Sequence, residues 1–259
     1  MKITQIRNAT IVIETNDKVI LVDPMFAKKA AIPSLKYYTS SKRRNPLVDL
    51  PDNFNKLLKT ITHCLITHCQ KGHFDHLDKA ATKWLRDNKI PVYCSQQDFK
   101  FLKQKGLKVI ELNPEKKQLF FNGEISLVPC LHGKGLIGKF MAHGYGYYIE
   151  FANEPSLYIS GDTILTKTIE QFINSTQPNV IVIPAGGAKF DLGGEIIMGL
   201  EESIKVGSLA KGKIIANHLE SLDHCPVSRE QLLSAVAKKN WQKRFFIPED
   251  GESLLFESN

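Results

Sequence analysis

The sequence predicts an α+β fold in which two mixed β-sheets pack face to face and helices cover both outer faces. Strand-like runs alternate with helical segments early in the chain, a strand-rich block fills the middle, and the alternation then returns. Because each sheet must bury an apolar face, this order favours a four-layer αββα sandwich. A chain of 259 residues fits a single domain over residues 1–259, since folds of this size form around one continuous core.

The first half of the chain begins with two strand-like runs, residues 3–15 and 18–24, which flank a turn at Asn16-Asp17. From Cys64 onward, short apolar runs alternate with amphipathic segments. The predicted strands in this part are residues 64–67, 91–94 and 109–112, and the predicted helices are residues 77–88 and 98–106.

The second half contains the strand-rich block and the return to alternation. Its predicted strands are residues 119–121, 124–130, 144–151, 156–160, 179–185 and 213–217, and its predicted helices are residues 168–174, 198–210 and 228–239. Ser228 is the predicted N-cap of the last helix, with Glu230 and Gln231 in the first turn.

An irregular segment, residues 25–52, lies between the opening strands and the alternating part. It carries prolines, two tyrosines and the basic cluster Lys42, Arg43 and Arg44, with little periodicity. Segments of this length in compact domains are usually functional covers or disordered. We expect it to cover the binding pocket and its basic cluster to attract an anionic substrate.

Composition narrows the class of protein. Lys and Arg number 34 against 27 Asp and Glu, a net charge of +7, which favours anionic partners without identifying one. Five dispersed cysteines are unlike a disulfide scaffold and indicate a reducing compartment. The first 15 residues alternate apolar and polar side chains, unlike a signal peptide, and no run approaches the roughly 20 apolar residues that span a bilayer. We therefore expect a soluble cytoplasmic protein without a membrane partner, and homo-oligomerisation is left open.

A group of metal-capable side chains follows the strand at residues 64–67, in the stretch LITHCQKGHFDHLD. Neutral imidazole and carboxylate are ligands that borderline divalent metals accept. A lone histidine in a loop is more often structural, but the density of His73, Asp75 and His76 directly after a strand favours a metal site. Their alternation places His73 and Asp75 on one side of an extended segment, with His76 brought alongside by a turn.

Three later strands also end near residues that can bind a metal. His132 follows SLVPC, Asp162 follows SLYIS, and His218 follows KIIAN, with His224 in the same loop as His218. Strand ends are positions where a rigid scaffold holds binding groups. Each residue alone could be an ordinary capping or hydrogen-bonded residue, and the case depends on their recurrence.

These motifs resemble those of the metallo-β-lactamase-fold hydrolases, whose pattern is T-H-x-H-x-D-H followed by separate His, Asp and His ligands. The matching positions are Thr67, His68, His73, Asp75, His76, His132, Gly161, Asp162 and His218. The runs ILVDP (20–24), GYGYYIE (144–150) and PAGGAKFDLGGEIIMGLEE (184–202) are similar to the group that contains the ascorbate-6-phosphate lactonases.

The sequence departs from the family pattern between its first two histidines. The family has one residue there, whereas four residues, 69–72, separate His68 from His73. We expect His68 still to bind the metal, because it ends its strand as the family's first ligand does and Gly72 lets the added loop fold back. The alternative is that His68 no longer reaches the metal.

The resemblance implies one or two divalent ions held by His68, His73, Asp75, His76, His132, Asp162 and His218. Zinc or manganese is expected, and iron also suits such ligands. A metal-bound hydroxide would be the nucleophile, with Asp75 holding the attacking water and Asp162 joining the two metal positions. Asp23 resembles the buried aspartate that orients the ligands by hydrogen bonds. His224 is a candidate for substrate binding or proton transfer.

The expected function is a metal-dependent hydrolase of a small anionic ester or lactone, such as the lactone of a phosphorylated sugar acid. A phosphodiesterase or nuclease of the same fold is the first alternative. Nucleic acid is not an expected partner, because no aromatic and basic single-strand platform stands out. The second alternative is a metal-binding protein without turnover.

Overall fold

The computed structural model describes residues 1–15, 18–39, 42–70, 72–135, 138, 141 and 144–257. In this part of the chain the strands form two seven-stranded sheets. The first sheet has the order β14-β1-β2-β3-β4-β5-β6. It consists of β1 (Lys2–Arg7), β2 (Thr10–Glu14), β3 (Val19–Val22), β4 (His63–Ile66), β5 (Pro91–Ser95), β6 (Lys108–Leu112) and β14 (Ser253–Leu255).

The second sheet has the order β13-β12-β11-β10-β9-β8-β7. It consists of β7 (Gln118–Phe120), β8 (Gly123–Pro129), β9 (Tyr145–Glu150), β10 (Leu157–Ile159), β11 (Val180–Pro184), β12 (Lys213–Asn217) and β13 (Phe245–Phe246). Both sheets are mixed. Strands β3 to β6 and β10 to β13 pair in parallel, and the other neighbours pair antiparallel.

Helices cover the outer face of each sheet. The described helices are α1 (Phe54–Leu58), α2 (Lys79–Asp87), α3 (Gln96–Gln104), α4 (Lys167–Thr176), α5 (Leu200–Leu209) and α6 (Arg229–Lys238). Leu85 of α2 and Leu102 of α3 pack on the first sheet. Ile169 of α4 and Leu232 of α6 pack on the second sheet.

The two sheets share one apolar core between them. Ile13 and Val22 of the first sheet lie in the same buried cluster as Ile149, Ile159 and Val182 of the second. Apolar burial is the main favourable term in folding, so this shared layer holds the sheets face to face. The predicted four-layer αββα architecture is confirmed.

The opening apolar run, residues 3–15, forms two strands, so the prediction of one strand there was wrong. Asn8 adopts a left-handed conformation with φ of 55°, which asparagine tolerates better than most residues, and the chain reverses between β1 and β2. The turn predicted at Asn16-Asp17 lies outside the described residues. Helix α1 and strands β13 and β14 were missed because segments of two to five residues carry no measurable periodicity.

The ends of several strands meet at one edge of the sandwich. Asp23 directly follows β3, and His68 lies two residues beyond β4. His132 and Asp162 each lie three residues beyond β8 and β10, and His218 directly follows β12. Rigid strands therefore deliver the predicted site residues to a common place.

Among the described residues, no helix combines the length and the apolar character that crossing a lipid bilayer requires.

We predict that Ser228→Ala lowers the free energy of unfolding by about 1 kcal/mol, because Ser228 and Gln231 form a reciprocal capping box at the start of α6. Urea unfolding followed by circular dichroism measures the change. Ser208→Ala is the matched control, since Ser208 is exposed near the end of α5 and bonds only one carbonyl of its own helix. Equal stability of the two variants would contradict the capping role.

Candidate metal centre

The seven residues predicted as metal ligands lie together at the strand-end edge, and all are buried. They form two groups, each with its donor atoms within 4.8 Å of one another. The first group is His68, His73 and His132, and the second is Asp75, His76, Asp162 and His218. The structure therefore brings His68 into the site in spite of the residues added after it.

Asp162 joins the two groups. Its Oδ2 lies 3.1 Å from His76 Nε2 and 3.4 Å from His218 Nε2, both in its own group. The same oxygen lies 3.6 Å from Nε2 of His132, which belongs to the first group. One carboxylate oxygen is thus within 3.6 Å of imidazoles from both groups.

Each of the five histidines in the two donor groups has its Nδ1 atom beside another protein group. The partners are Thr67 Oγ1 for His68 (3.1 Å), the Gln70 carbonyl for His73 (2.5 Å), Asp23 Oδ2 for His76 (2.9 Å), the Ile196 carbonyl for His132 (2.7 Å) and Cys225 Sγ for His218 (3.4 Å). A group that accepts from Nδ1–H leaves Nε2 of a neutral imidazole without a proton and free to bind a metal. The five rings therefore present the same atom to the interior of the site.

Several of these Nε2 atoms are buried without a hydrogen bond. This holds for His68, His73 and His76. His76 Nε2 lies 3.1 Å from Asp162 Oδ2, but the imidazole and the carboxylate are not aligned for a hydrogen bond. Unpaired buried polar atoms are rare in proteins and need an explanation, such as an ion. Imidazole and carboxylate donors converging in this way fit one or two divalent cations.

Asp23 lies beneath the site and ties three residues together. Its Oδ1 accepts from the Thr67 backbone at 2.8 Å, and its Oδ2 accepts from Thr67 Oγ1 at 2.6 Å and faces His76 Nδ1 at 2.9 Å. Thr67 in turn contacts the ring of His68. This web fixes the direction of two rings at once, in the place that the resemblance assigned to an orienting aspartate.

The residues added between His68 and His73 fold back onto the site. The backbone carbonyl oxygen of Gln70 lies 2.5 Å from His73 Nδ1, and the side-chain amide of Gln70 donates a hydrogen bond to the Gln97 carbonyl. Gly72 has φ of +87°, a conformation that the turn into His73 requires and that glycine adopts without strain. Lys71 lies outside the described residues. The Gln70 carbonyl therefore points into the site and orients the His73 ring.

The two groups differ in electrostatics. Burial lowers the pKa of His68 well below its usual range and the pKa of His132 to about 4, so both are neutral at pH 7. Burial also acts to lower the pKa of His76 and His218, but nearby carboxylates, Asp162 first among them, outweigh it and raise both pKa values. Without a metal ion the second group is therefore a set of protonated imidazoles paired with carboxylates.

His224 lies beside the predicted ligands but outside both groups. Its ring stacks on Phe190 at 5.8 Å and lies 6.5 Å from the ring of His218. Burial lowers its pKa to about 4, so the imidazole is neutral. Its Nδ1 is buried without a hydrogen bond. A neutral ring with an unpaired nitrogen is suited to contacting a bound molecule.

An apolar wall, which consists of residues 25, 74, 141, 188, 190, 196, 197, 222 and 225, stands next to the site. Phe74, Met141 and Phe190 are its partly exposed members. It contacts the site through the Ile196 carbonyl, which bonds His132, through Phe190, which stacks on His224, and through the Cys225 sulfur beside His218.

The irregular segment 25–52 is fastened to the loop that carries His224. Asp223 accepts from the Leu35 backbone at 3.1 Å and from Asn45 Nδ2 at 2.8 Å. Arg44 donates to two carbonyl oxygens of its own segment, so its guanidinium is engaged there. The segment therefore lies beside the site, while its role as a cover and the attraction of substrate by its basic cluster stay predictions.

Two residues at the site were missed from the sequence. Asn8 is fully buried at the bend between β1 and β2, and its Nδ2 lies 3.4 Å from Asp75 Oδ2 and 3.2 Å from His218 Nε2. Cys225 contacts Nδ1 of His218. The only signal for Asn8 was a polar residue interrupting an apolar run, and nothing in the sequence distinguished Cys225 from the other cysteines.

Comparison with known proteins gives consistent results. Residues 2–217 match the family model described as beta-lactamase superfamily domain. The UPF0173 protein YddR of Bacillus subtilis (strain 168) is 35% identical over 261 residues, which cover 99% of this chain and 100% of YddR. A UPF0173 metal-dependent hydrolase of Methylacidiphilum infernorum (isolate V4) is 28% identical over 204 residues, 77% of this chain and 80% of its own length.

Among solved structures, the crystal structure of an isothiocyanate hydrolase from Delia radicum gut bacteria is similar over 100% of both chains. The TM-score is 0.88 and the sequence identity is 30%.

We predict that metal binding to the metal-free protein releases protons and that the affinity for zinc rises with pH. The raised pKa values of His76 and His218 mean that both rings are imidazolium cations at pH 7, with a proton on each nitrogen. An incoming metal ion must displace the proton on Nε2. Raising the pH toward those pKa values removes the competing protons. Calorimetric titration in two buffers of different ionisation enthalpy measures the release, and heats that do not depend on the buffer would contradict it.

Proposed function

Since the chain belongs to the beta-lactamase superfamily and is a metal-dependent hydrolase of the metallo-β-lactamase fold, we propose that its two donor groups hold two divalent ions. We further propose that the site hydrolyses a small substrate at an electrophilic carbon. The observation that carries the proposal is the common orientation of the five imidazoles, with Nδ1 engaged and Nε2 facing inward. Zinc, manganese and iron all suit these donors.

The proposed ligands are His68, His73 and His132 for one ion and Asp75, His76 and His218 for the other, with Asp162 between them. A bound divalent ion would lower the pKa of a water molecule to about 7 and so supply a nucleophile at neutral pH. The Asp23 carboxylate orients the ring of His76 through a contact with His76 Nδ1. Losing such an orienting partner commonly costs about 10 to 100-fold in metal affinity or activity.

Asp75 is proposed to hold the attacking water. Its side chain is 10% exposed, against 4% for Asp162, so it is the more accessible of the two carboxylates. Burial acts to raise the pKa of Asp75, but His76 and His218 outweigh it, and the net pKa is far below its usual range. An ionised carboxylate accepts a hydrogen bond from water and so orients the attacking oxygen. Asn8 Nδ2, at 3.4 Å, supports the carboxylate from the side of β1.

The surroundings favour a substrate with a small apolar substituent. Phe74, Met141 and Phe190 form the partly exposed part of the apolar wall, and the neutral ring of His224 stacks on Phe190. His224 is proposed to hydrogen-bond the substrate through a nitrogen that has no protein partner. An isothiocyanate, with an electrophilic carbon and an organic substituent, fits this description, and the solved structure that is 30% identical over the full length is named an isothiocyanate hydrolase.

The second candidate substrate is a small anionic ester or lactone, such as the lactone of a phosphorylated sugar acid. Its carbonyl carbon has the same need for a water nucleophile and for charge stabilisation on oxygen. The net charge of +7 and the sequence runs similar to those of the ascorbate-6-phosphate lactonases favour it. The apolar wall favours the isothiocyanate over this candidate.

The compartment that we propose is the cytoplasm. The five cysteines are all unpaired and buried, which suits a reducing environment. We propose no nucleic-acid partner.

We predict that the zinc- or manganese-loaded protein hydrolyses a small alkyl or aryl isothiocyanate and that removing the metal with a chelator abolishes turnover. His73→Ala, His76→Ala and Asp162→Asn should each lower kcat/KM by more than about 100-fold, since even partners outside the ligand set cost about 10 to 100-fold. Loss of isothiocyanate or product absorbance measures the rate, and a sugar-acid lactone tests the second candidate in parallel.

The control for these variants is His63→Ala, because His63 packs on Phe121 away from the site. Near-wild-type turnover by any of the three site variants, with the metal still required, would contradict the assigned ligands. Turnover of neither substrate class by the loaded protein would contradict the proposed chemistry.

We predict that His224→Phe raises KM or lowers kcat by about 2- to 10-fold while metal content stays at the wild-type level. The phenyl ring keeps the stacking on Phe190 but removes both ring nitrogens, and a hydrogen bond to substrate contributes about 0.5–1.5 kcal/mol. Steady-state kinetics and metal analysis of the same preparation measure the two quantities. Unchanged kinetics would remove His224 from the substrate site.

A further inference from the structure

His218 differs from the other four histidines of the site in the atom that contacts its Nδ1. Threonine, carbonyl and carboxylate oxygens occupy that place at the other four rings, whereas the Cys225 sulfur occupies it at His218, at 3.4 Å. Cys225 is buried and is not part of either donor group. Its sulfur therefore occupies the position that orients a metal-binding histidine.

The fold around Cys225 holds this contact in place. His218 has φ of 59° where the chain leaves β12, which turns its loop back over Gly186. A Cβ atom at Gly186 would lie 2.1 Å from the His218 carbonyl oxygen and 3.2 Å from the Cys225 sulfur. Only glycine leaves room there for both residues of the loop.

Two further bonds fix the ends of this turn. The Cys225 backbone donates to the Leu222 carbonyl at 3.2 Å, and the Val227 backbone donates to the Gly186 carbonyl at 3.1 Å. Cys225 also packs within the apolar wall, beside Leu222 and Met25. The thiol is therefore fixed by its backbone and by packing, and its position does not depend on the bond to His218.

We propose that Cys225 is a positioning residue, whose sulfur accepts a hydrogen bond from Nδ1 of His218 and thereby directs Nε2 toward Asp75 and Asp162. His218 Nε2 lies 3.2 Å from Asp75 Oδ2 and 3.4 Å from Asp162 Oδ2, which is the direction this contact imposes. The inference rests on the proposed role of His218 as a metal ligand.

The choice of sulfur has a consequence for the second donor group. Thiol sulfur is a weaker acceptor than carboxylate or carbonyl oxygen, so it orients the ring while adding less to its basicity. His76, in the same group, has the carboxylate of Asp23 behind it. The ion bound beside His218 is therefore the one whose affinity responds to changes at Cys225.

The test compares Cys225→Ala and Cys225→Ser with the wild-type protein in zinc titrations against a chromophoric chelator. Alanine removes the acceptor, and we expect one of two zinc equivalents to bind about 10-fold or more weakly, while the other is unchanged. Serine provides an oxygen acceptor at the same place, and we expect it to restore most of the affinity. Cys94→Ala is the matched control, because Cys94 is fully buried behind the first sheet in a cluster that contains none of the donors.

A second measurement reads the ring directly. Long-range ¹H–¹⁵N spectra of the zinc-loaded protein distinguish a proton on Nδ1 from a proton on Nε2, and wild-type His218 should carry it on Nδ1. Equal zinc affinity of Cys225→Ala and wild type overturns the inference. It is also overturned if alanine and serine weaken zinc binding equally, which indicates packing rather than an acceptor. A wild-type protein that binds no zinc, manganese or iron overturns the proposed function as well.

Discussion

The burial of seven metal-capable side chains in one place is the constraint on which the rest of this structure depends. Carboxylates and imidazoles without solvent must be paired, hydrogen-bonded or bound to a cation, because an unpaired buried charge is costly. The protein engages the Nδ1 side of each ring with its own groups and leaves the Nε2 side to the interior. The need to engage Nδ1 of each buried ring therefore fixes the conformation of the loops that supply the hydrogen-bond partners as well as the positions of the ligands.

The site also requires that both sheets are in place. Asp75 and His76 come from the loop after β4 in the first sheet, whereas Asp162 and His218 follow β10 and β12 in the second. The apolar core between the sheets sets the separation of the sheets. Because the donors follow strand ends of both sheets, that separation also sets the distances between donor atoms. A cation bridging the two sets of residues would therefore stabilise the packing of the sheets as well as perform chemistry.

The sequence predicted the parts of this arrangement that depend on local pattern. Apolar runs bounded by turn residues located most strands, and ligand-type residues beside their ends located the donors. The contacts of Asn8 with His218, 210 residues away, and of Cys225 with Nδ1 of His218 depend on how distant loops pack, which no local pattern records. The inward carbonyl of Gln70 was unpredictable for a related reason: every residue has a carbonyl, and only the folded loop decides which one faces a ring.

The central claim is that the two donor groups bind two divalent ions through Nε2 of the five histidines. Crystals grown with zinc or manganese, with anomalous diffraction recorded at the absorption edge of the metal, test it most directly. The account predicts two anomalous peaks, one bonded to His68, His73 and His132 and the other to Asp75, His76 and His218, with Asp162 in contact with both. A single peak, ligation through Nδ1, or a His68 ring turned away from the metal would contradict it.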